Sequence, residues 1–95
     1  MQIRTSAAAL KKMGQTTEEV ILQLEKNNKE VETEIASLGN QWKDANFTSV
    51  KQVIQEKQSN LNDLLKDLKK FREWLERQHK IVKEYEDNHD EIKRI

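Results

Sequence analysis

Apolar residues recur with a single spacing along almost the whole chain, and this spacing constrains the fold more than any other feature. From Ile3 to Trp42, steps that alternate between three and four residues reach mostly apolar side chains, and a second series does the same from Phe47 to Ile92. A mean step of about 3.5 residues is typical of helices that pack at a shallow left-handed angle. No stretch alternates with period two, so the sequence predicts an all-α chain of two long helices.

The two series are separated by one break, because Trp42 and Phe47 are five residues apart and belong to different registers. Gly39, Asn40, Asp44 and Asn46 surround this break, and all four are residue types that favour turns or helix caps. A short turn between antiparallel helices is therefore expected, with either Asp44 or Asn46 as the cap of the second helix. The predicted single domain, 1–95, has helix one at about 6–40, the turn at about 40–46 and helix two at about 47–92.

Gly14 offers a second place where the first helix could be interrupted. Thr16 and Glu19 have the spacing of a capping box, so one alternative starts the helix at Thr17 and leaves the preceding residues as a separate turn or tail. The other alternative is a continuous helix from about Ser6. We favour the continuous helix because the apolar spacing keeps its phase across Gly14.

The apolar face is wider than the seam between two helices requires. Val53, Trp74 and Ile81 flank the stripe of the second helix on one side, and Leu65 lies on the other. Because a lone hairpin leaves such a face partly wet, we expect a second hairpin, either a copy or a related chain, to complete a dimeric four-helix bundle. The predicted partner-interface residues are Val20, Ile21, Leu24, Val31, Ile35, Leu38, Phe47, Val53, Leu61, Leu65, Trp74 and Ile81.

Composition argues against several other functions. The 17 basic and 17 acidic residues cancel and are interspersed, which disfavours nucleic-acid binding and a basic membrane-surface helix. There is no cysteine, and His79 and His89 stand ten residues apart on one predicted helix, too far to share a metal ion. No phosphate-binding or calcium-binding loop motif is present. We therefore predict a protein that is not an enzyme and uses no metal or cofactor.

The N-terminal residues lack the long apolar run of a Sec signal peptide or a membrane anchor. The expectation is a protein without membrane insertion, cytoplasmic before any export, and exported, if at all, by another route.

The turn carries the sequence Trp42–Lys43–Asp44, near the middle of a chain of 95 residues. Leu38 lies four residues before the tryptophan, and Phe47 opens the next helix. A chain of this length with a Trp-x-Gly turn between two long helices resembles the WXG-motif family of type VII secretion, also called the ESAT-six-like family. Here Asp44 stands in place of the motif glycine; if that position needs a positive φ, aspartate adopts it at modest cost.

The resemblance implies a substrate that is exported without a signal peptide by a bacterial type VII system, or an adaptor that pairs with such a substrate. Members of the family form antiparallel homodimeric or heterodimeric four-helix bundles, in which Trp42 would lie at the hairpin end against the partner. The family's export signal is often Tyr-x-x-x-Asp/Glu after the second helix. In this chain Tyr85 is followed at that distance by His89, and Asp90 comes one position later. This degenerate signal favours a companion of a larger secreted effector.

An alternative function from another class is a generic coiled-coil scaffold or regulatory interaction module with no link to secretion. A scaffold would depend on its long seam and tolerate a change at Trp42, whereas a WXG-type protein would lose partner docking and stay helical.

Overall fold

Two antiparallel α-helices make up the described chain, which confirms the all-α hairpin. The structure, a computed structural model, describes residues 5–94, with side chains for residues 5–88. Helix α1 is Ala7–Gly39 (33 residues) and helix α2 is Ala45–Arg94 (50 residues). The molecule measures 76 × 20 × 14 Å, so it is a rod with the turn at one end. The dimeric bundle that the sequence analysis expects remains a prediction.

Polar groups mark both ends of α1. The Ser6 hydroxyl accepts a hydrogen bond from the backbone N–H of Ala9 at 3.1 Å, which is the usual role of an N-cap serine. The backbone N–H of Ala7 donates to Oε1 of Glu86 on α2 at 3.0 Å, so a carboxylate lies at the positive end of the α1 dipole. At the other end, the backbone N–H of Trp42 donates a hydrogen bond to the backbone carbonyl of Leu38 at 2.9 Å.

The seam of α1 follows the spacing that the sequence predicts. Ala7, Thr17 and Ile21 are buried, and Ile21 is only 1% exposed. Most other members of the series from Leu10 to Ile35 are half-buried. Helix α1 also runs through Gly14 without interruption, so the continuous alternative is the one observed.

The seam of α2 differs from the predicted stripe. Leu65, Leu75 and Val82 are its buried residues, and Gln58, Arg72, His79 and Glu86 are half-buried beside them. Of the twelve members of the expected series whose side chains the structure describes, five are instead exposed: Val50, Lys57, Leu64, Phe71 and Tyr85. On a helix with about 100° per residue, this is a rotation of α2 that turns a partly polar row inward and leaves an apolar row outside.

Polar pairs between the helices explain this rotation. Arg72 forms a salt bridge with Glu18, and the Gln58 amide donates to Oδ1 of Asn28 at 3.0 Å. With the Glu86–Ala7 bond, these contacts hold the helices in one register at three levels. No buried side-chain N or O atom among the described residues lacks a hydrogen bond.

Gly14 offers a direct test of the continuous helix. A Cβ added at Gly14 would meet no atom within 4 Å, and its φ is not positive. Gly14→Ala is therefore expected to raise the free energy of unfolding by about 0.5–1 kcal/mol, because alanine loses less backbone entropy in a helix. Gly39→Ala is the matched control: its Cβ would lie 3.0 Å from Cζ of Phe47, so the same gain is offset by crowding. Urea titration measures both, and a destabilised Gly14→Ala variant would contradict the continuous helix.

Candidate partner-binding face and turn cluster

A row of large apolar side chains remains exposed along one side of the hairpin. Their exposed fractions range from 36% for Val31 to 55% for Val53. Helical spacing and the antiparallel register place the rows of the two helices on the same side of the seam. We call this surface the apolar face; its residues are Met13, Val20, Val31, Leu38, Val50, Val53, Leu64, Phe71, Trp74, Ile81 and Tyr85.

The opposite side of the hairpin is polar. It carries the Glu18–Arg72 salt bridge and a Lys69–Glu25 pair at 3.7 Å, and the shallow grooves between the helices open there. The hydrogen bond from Arg72 to Glu18 raises the pKa of the guanidinium, which stays charged. Leu22, 58% exposed, is the isolated large apolar residue of this side. The two sides therefore differ in chemistry, and a partner that buries apolar surface would contact the apolar face.

Phe71 and Trp74 form the most prominent feature of the apolar face. Their rings stack with centroids 5.9 Å apart and an interplanar angle of 17°. They are 42% and 46% exposed respectively, so much of this flat aromatic surface faces solvent. Rigid aromatic side chains of this kind are frequent anchors of protein interfaces.

The apolar face extends along much of the hairpin, from Met13 to Leu38 on α1 and from Val50 to Tyr85 on α2. Its eleven side chains together expose on the order of 1,000 Å². A stable interface buries about 800 Å² per partner. The apolar face is thus large enough to be one half of a stable interface.

The predicted partner-interface residues fall into three groups. Val20, Val31, Leu38, Val53, Trp74 and Ile81 lie on the apolar face, and Leu24, Ile35, Phe47 and Leu61 are half-buried at its edge or in the seam. Ile21 and Leu65 are 1% and 7% exposed, so α1 and α2 themselves cover them. They pack the hairpin and present almost no surface to a partner.

Val50, Leu64, Phe71 and Tyr85 belong to the apolar face but were assigned by the heptad spacing to the seam. In their place the hairpin half-buries the row Gln58, Arg72, His79 and Glu86, of which Gln58, Arg72 and Glu86 contact groups on α1. The partners of Gln58 and Arg72 are Asn28 and Glu18, which lie 30 and 54 residues away from them in sequence. The local spacing on α2 therefore does not reveal them.

The turn holds a small cluster around Trp42. Its ring is half-buried and lies 5.8 Å from the Phe47 ring, centroid to centroid, at a tilt of 51°. The Asp44 carboxylate accepts hydrogen bonds from the Trp42 indole and, at 3.1 Å, from the backbone N–H of Phe47. Asp44 is therefore the cap of α2, and Asn46 is not. Lys43 is exposed. No described residue has a positive φ, so Asp44 needs no glycine-like backbone.

The hydrogen bonds at Asp44 have a consequence for pH dependence. The Trp42 indole, followed by the Phe47 N–H, lowers the pKa of Asp44 below its usual value. A lowered folded-state pKa adds stability above the unfolded pKa, about 3.9, and that stability is lost as pH falls through the folded pKa. Asp44→Asn keeps the cap oxygen and does not titrate. The melting temperature of the native chain relative to Asp44→Asn should therefore fall between pH 6 and pH 2; a constant difference would contradict this assignment.

The degenerate export-signal region lies within α2, since this helix continues to Arg94. Tyr85 is exposed and belongs to the apolar face. The side chains of His89 and Asp90 lie outside the described residues. One residue beyond Tyr85, the Glu86 carboxylate contacts the start of α1, so the beginning of this region packs against the N-terminal end of the hairpin.

Within residues 5–94 no helix is long and apolar enough to span a membrane. Among the side chains described, no group of three or more His, Cys, Asp or Glu residues is placed to hold a metal ion. Comparison with protein-family models, curated proteins and solved structures gives no match. The apolar face and the turn cluster are the candidate functional features of the described residues.

Proposed function

We propose that this chain is a non-enzymatic helical partner protein that docks another helical hairpin on its apolar face. The observation that carries the proposal is that the hairpin buries a polar row of α2 more than an apolar row of the same helix. The hairpin buries Gln58, Arg72 and His79 in part, and leaves Phe71, Trp74 and Ile81 in solvent. Apolar area in contact with water costs free energy, so a partner that covers this area would stabilise the complex.

The partner belongs to a bacterial type VII secretion system in this proposal. The resemblance at Trp42–Lys43–Asp44 supports this assignment, as does the position of that motif in the turn of a hairpin with two long helices. Trp42 packs on Phe47 and caps one end of the rod, where a partner's helix end would meet it. The chain acts either as a small secreted substrate or as a targeting adaptor and chaperone for a larger effector, cytoplasmic before export and exported without a Sec signal peptide.

Of these two roles, the adaptor role has more support. The family's signal spacing would place an acid four residues after Tyr85, where this chain has His89. Glu86, the first acid after Tyr85, accepts a hydrogen bond from the backbone N–H of Ala7. An effector that carries its own export signal would supply the Tyr-x-x-x-Asp/Glu motif that this chain lacks.

A coiled-coil scaffold unrelated to secretion is the second candidate. The polar contacts at Ala7, Glu18 and Asn28 favour it, because they fix the register of the hairpin along most of its length. The two candidates differ at Trp42. A scaffold needs only the seam, whereas a secretion partner also needs the turn cluster.

Release into the medium tests the proposed function. The chain is expressed alone, or with its chromosomal neighbours, in cells with an active type VII system and in the same cells without it. We expect release that requires both the system and a neighbour, and that is lost in Trp42→Ala. Leu22→Ala, a change on the polar side, is the matched control and should be released normally.

The other outcomes separate the candidates. Release of the lone chain by the system would identify a substrate and exclude the adaptor role. Release independent of the system, or no release with any neighbour, would contradict the secretion assignment and leave the scaffold. Circular dichroism of Trp42→Ala must show retained helix, so that loss of release reports on docking.

A further inference from the structure

We propose that α2 has two packings against α1, and that polar contacts between the helices hold it in the packing that leaves the apolar face exposed. In the second packing α2 is rolled about its own axis, which turns the apolar row of Leu64 and Phe71 toward α1. The hairpin would then cover this row itself and offer less apolar surface to a partner. The roll is a property of the hairpin alone, and only its consequence for docking rests on the proposed function.

The sequence of α2 supports a second packing. Its apolar stripe has the spacing of three and four residues that is typical of a helix packed along another helix. The observed seam instead contains Leu65 and Arg72, each one residue after a member of the stripe and about 100° further round the helix. Leu75 and Val82, which are buried, belong to a row between these two. A roll of roughly 50° would exchange the outer rows and keep the middle row in the seam.

Three polar contacts between the helices oppose the roll: Glu18–Arg72, Asn28–Gln58 and Ala7–Glu86. All three use side chains from the same row of α2, so a roll that turns this row outward would break them together. The contact between Arg72 and Glu18 is the one that joins opposite charges, and charged partners make the stronger hydrogen bonds. Reversing one of its charges would replace attraction with repulsion at the centre of the row.

The polar side of the hairpin has space for the row that would turn outward. A groove of about 710 Å³ lies between the helices there, and Arg72 and His79 line it. Gly14 lines the same groove from α1, and a Cβ placed on it would meet no atom within 4 Å. The groove therefore gives Arg72 and His79 room on the side to which the roll would turn them.

Apolar burial favours the rolled packing, and polar contacts favour the observed one. Leu64 and Phe71 are 48% and 42% exposed, and the roll would bring both against α1. In exchange Leu65, now 7% exposed, would leave the seam, and Lys57 of the stripe would turn toward α1. Opposing terms of this kind let the charge on one side chain decide between two packings of one sequence.

Thiol reactivity at two buried positions of α2 tests the roll, because the chain has no cysteine of its own. Leu65→Cys and Leu75→Cys replace side chains that are 7% and 3% exposed. The roll exposes position 65 and keeps position 75 in the seam, whereas unfolding exposes both. Each variant is combined with Glu18→Arg, which places a like charge against Arg72. We expect Glu18→Arg to accelerate the reaction of the thiol at position 65 by roughly tenfold or more, and at position 75 by less than about twofold.

The charge swap Glu18→Arg/Arg72→Glu is the matched control, because it restores a pair of opposite charges. It should return the thiol at position 65 to the rate in the native background, and circular dichroism should show equal helix content throughout. A thiol at position 65 that stays protected in Glu18→Arg would overturn the inference. So would equal acceleration at both positions, or a charge swap that fails to restore protection.

The release assay with chromosomal neighbours measures the consequence for docking. Glu18 lies on the polar side, so a partner on the apolar face does not contact it. Glu18→Arg should nevertheless lower release, and the charge swap should restore it. Normal release of Glu18→Arg, in a chain whose thiols report the roll, would show that the roll does not control docking. Release of the native chain judges the proposed function separately from these results.

Discussion

Replacing both exposed aromatic residues, in Phe71→Glu/Trp74→Glu, is expected to abolish docking of a second hairpin while the helices stay folded. The rings stack on each other at 5.9 Å and contribute little to the buried seam, so the hairpin does not need them. An interface centred on them loses its aromatic anchors and must bury charge instead. Anchors of this kind each contribute about 2 kcal/mol or more, so affinity should fall by roughly 100-fold or more. Sedimentation equilibrium measures the change.

Leu22→Glu is the matched control, because it places the same charge on the polar side at a residue that is more exposed. It should leave both affinity and helix content unchanged. If Leu22→Glu weakened association as much as the double variant, the apolar face would not be the contact surface. If the double variant lost its helices, Phe71 and Trp74 would belong to the core of the hairpin.

The second large effect is expected in the seam, at Ile21. This side chain is 1% exposed, so Ile21→Ala removes buried methyl groups and leaves a cavity between α1 and α2. Such changes cost about 2–5 kcal/mol, a large share of the roughly 5–15 kcal/mol that stabilises a typical domain. Leu22→Ala, one residue away and 58% exposed, should change stability by less than about 0.5 kcal/mol. Urea unfolding followed by circular dichroism compares the two, and equal losses would refute the seam assignment.

The seam of α1 could be predicted from the sequence because its apolar residues form a single row. Ala7, Thr17 and Ile21 keep a constant phase, and no competing apolar row of comparable length exists on that helix. On helix α2 the residues Leu61, Leu68 and Leu75 lie between an apolar row and a partly polar row, and spacing alone favours burial of the apolar row. Which row faces α1 depends on partners that are distant in sequence, such as Glu18, which forms a salt bridge with Arg72.

The structure of the turn, too, could be predicted only in part from the sequence. The residue types around Trp42 predicted its position but left Asp44 and Asn46 as alternative caps. The Phe47 ring packs above Gly39 and against Trp42, and this arrangement brings the Phe47 N–H and the indole to the Asp44 carboxylate. Contacts between side chains on both sides of a turn are not encoded in the local pattern of turn residues.

The mass of the purified chain in solution tests the central claim most directly, because that claim is that the apolar face is covered by another hairpin. Light scattering after size exclusion, repeated over a range of concentrations with melting followed at each, measures it. We expect twice the 11.3 kDa of one chain, with a melting temperature that rises with concentration. A helical monomer of 11.3 kDa that melts at the same high temperature at every concentration would contradict the account, since the hairpin would then be stable with its apolar face in water.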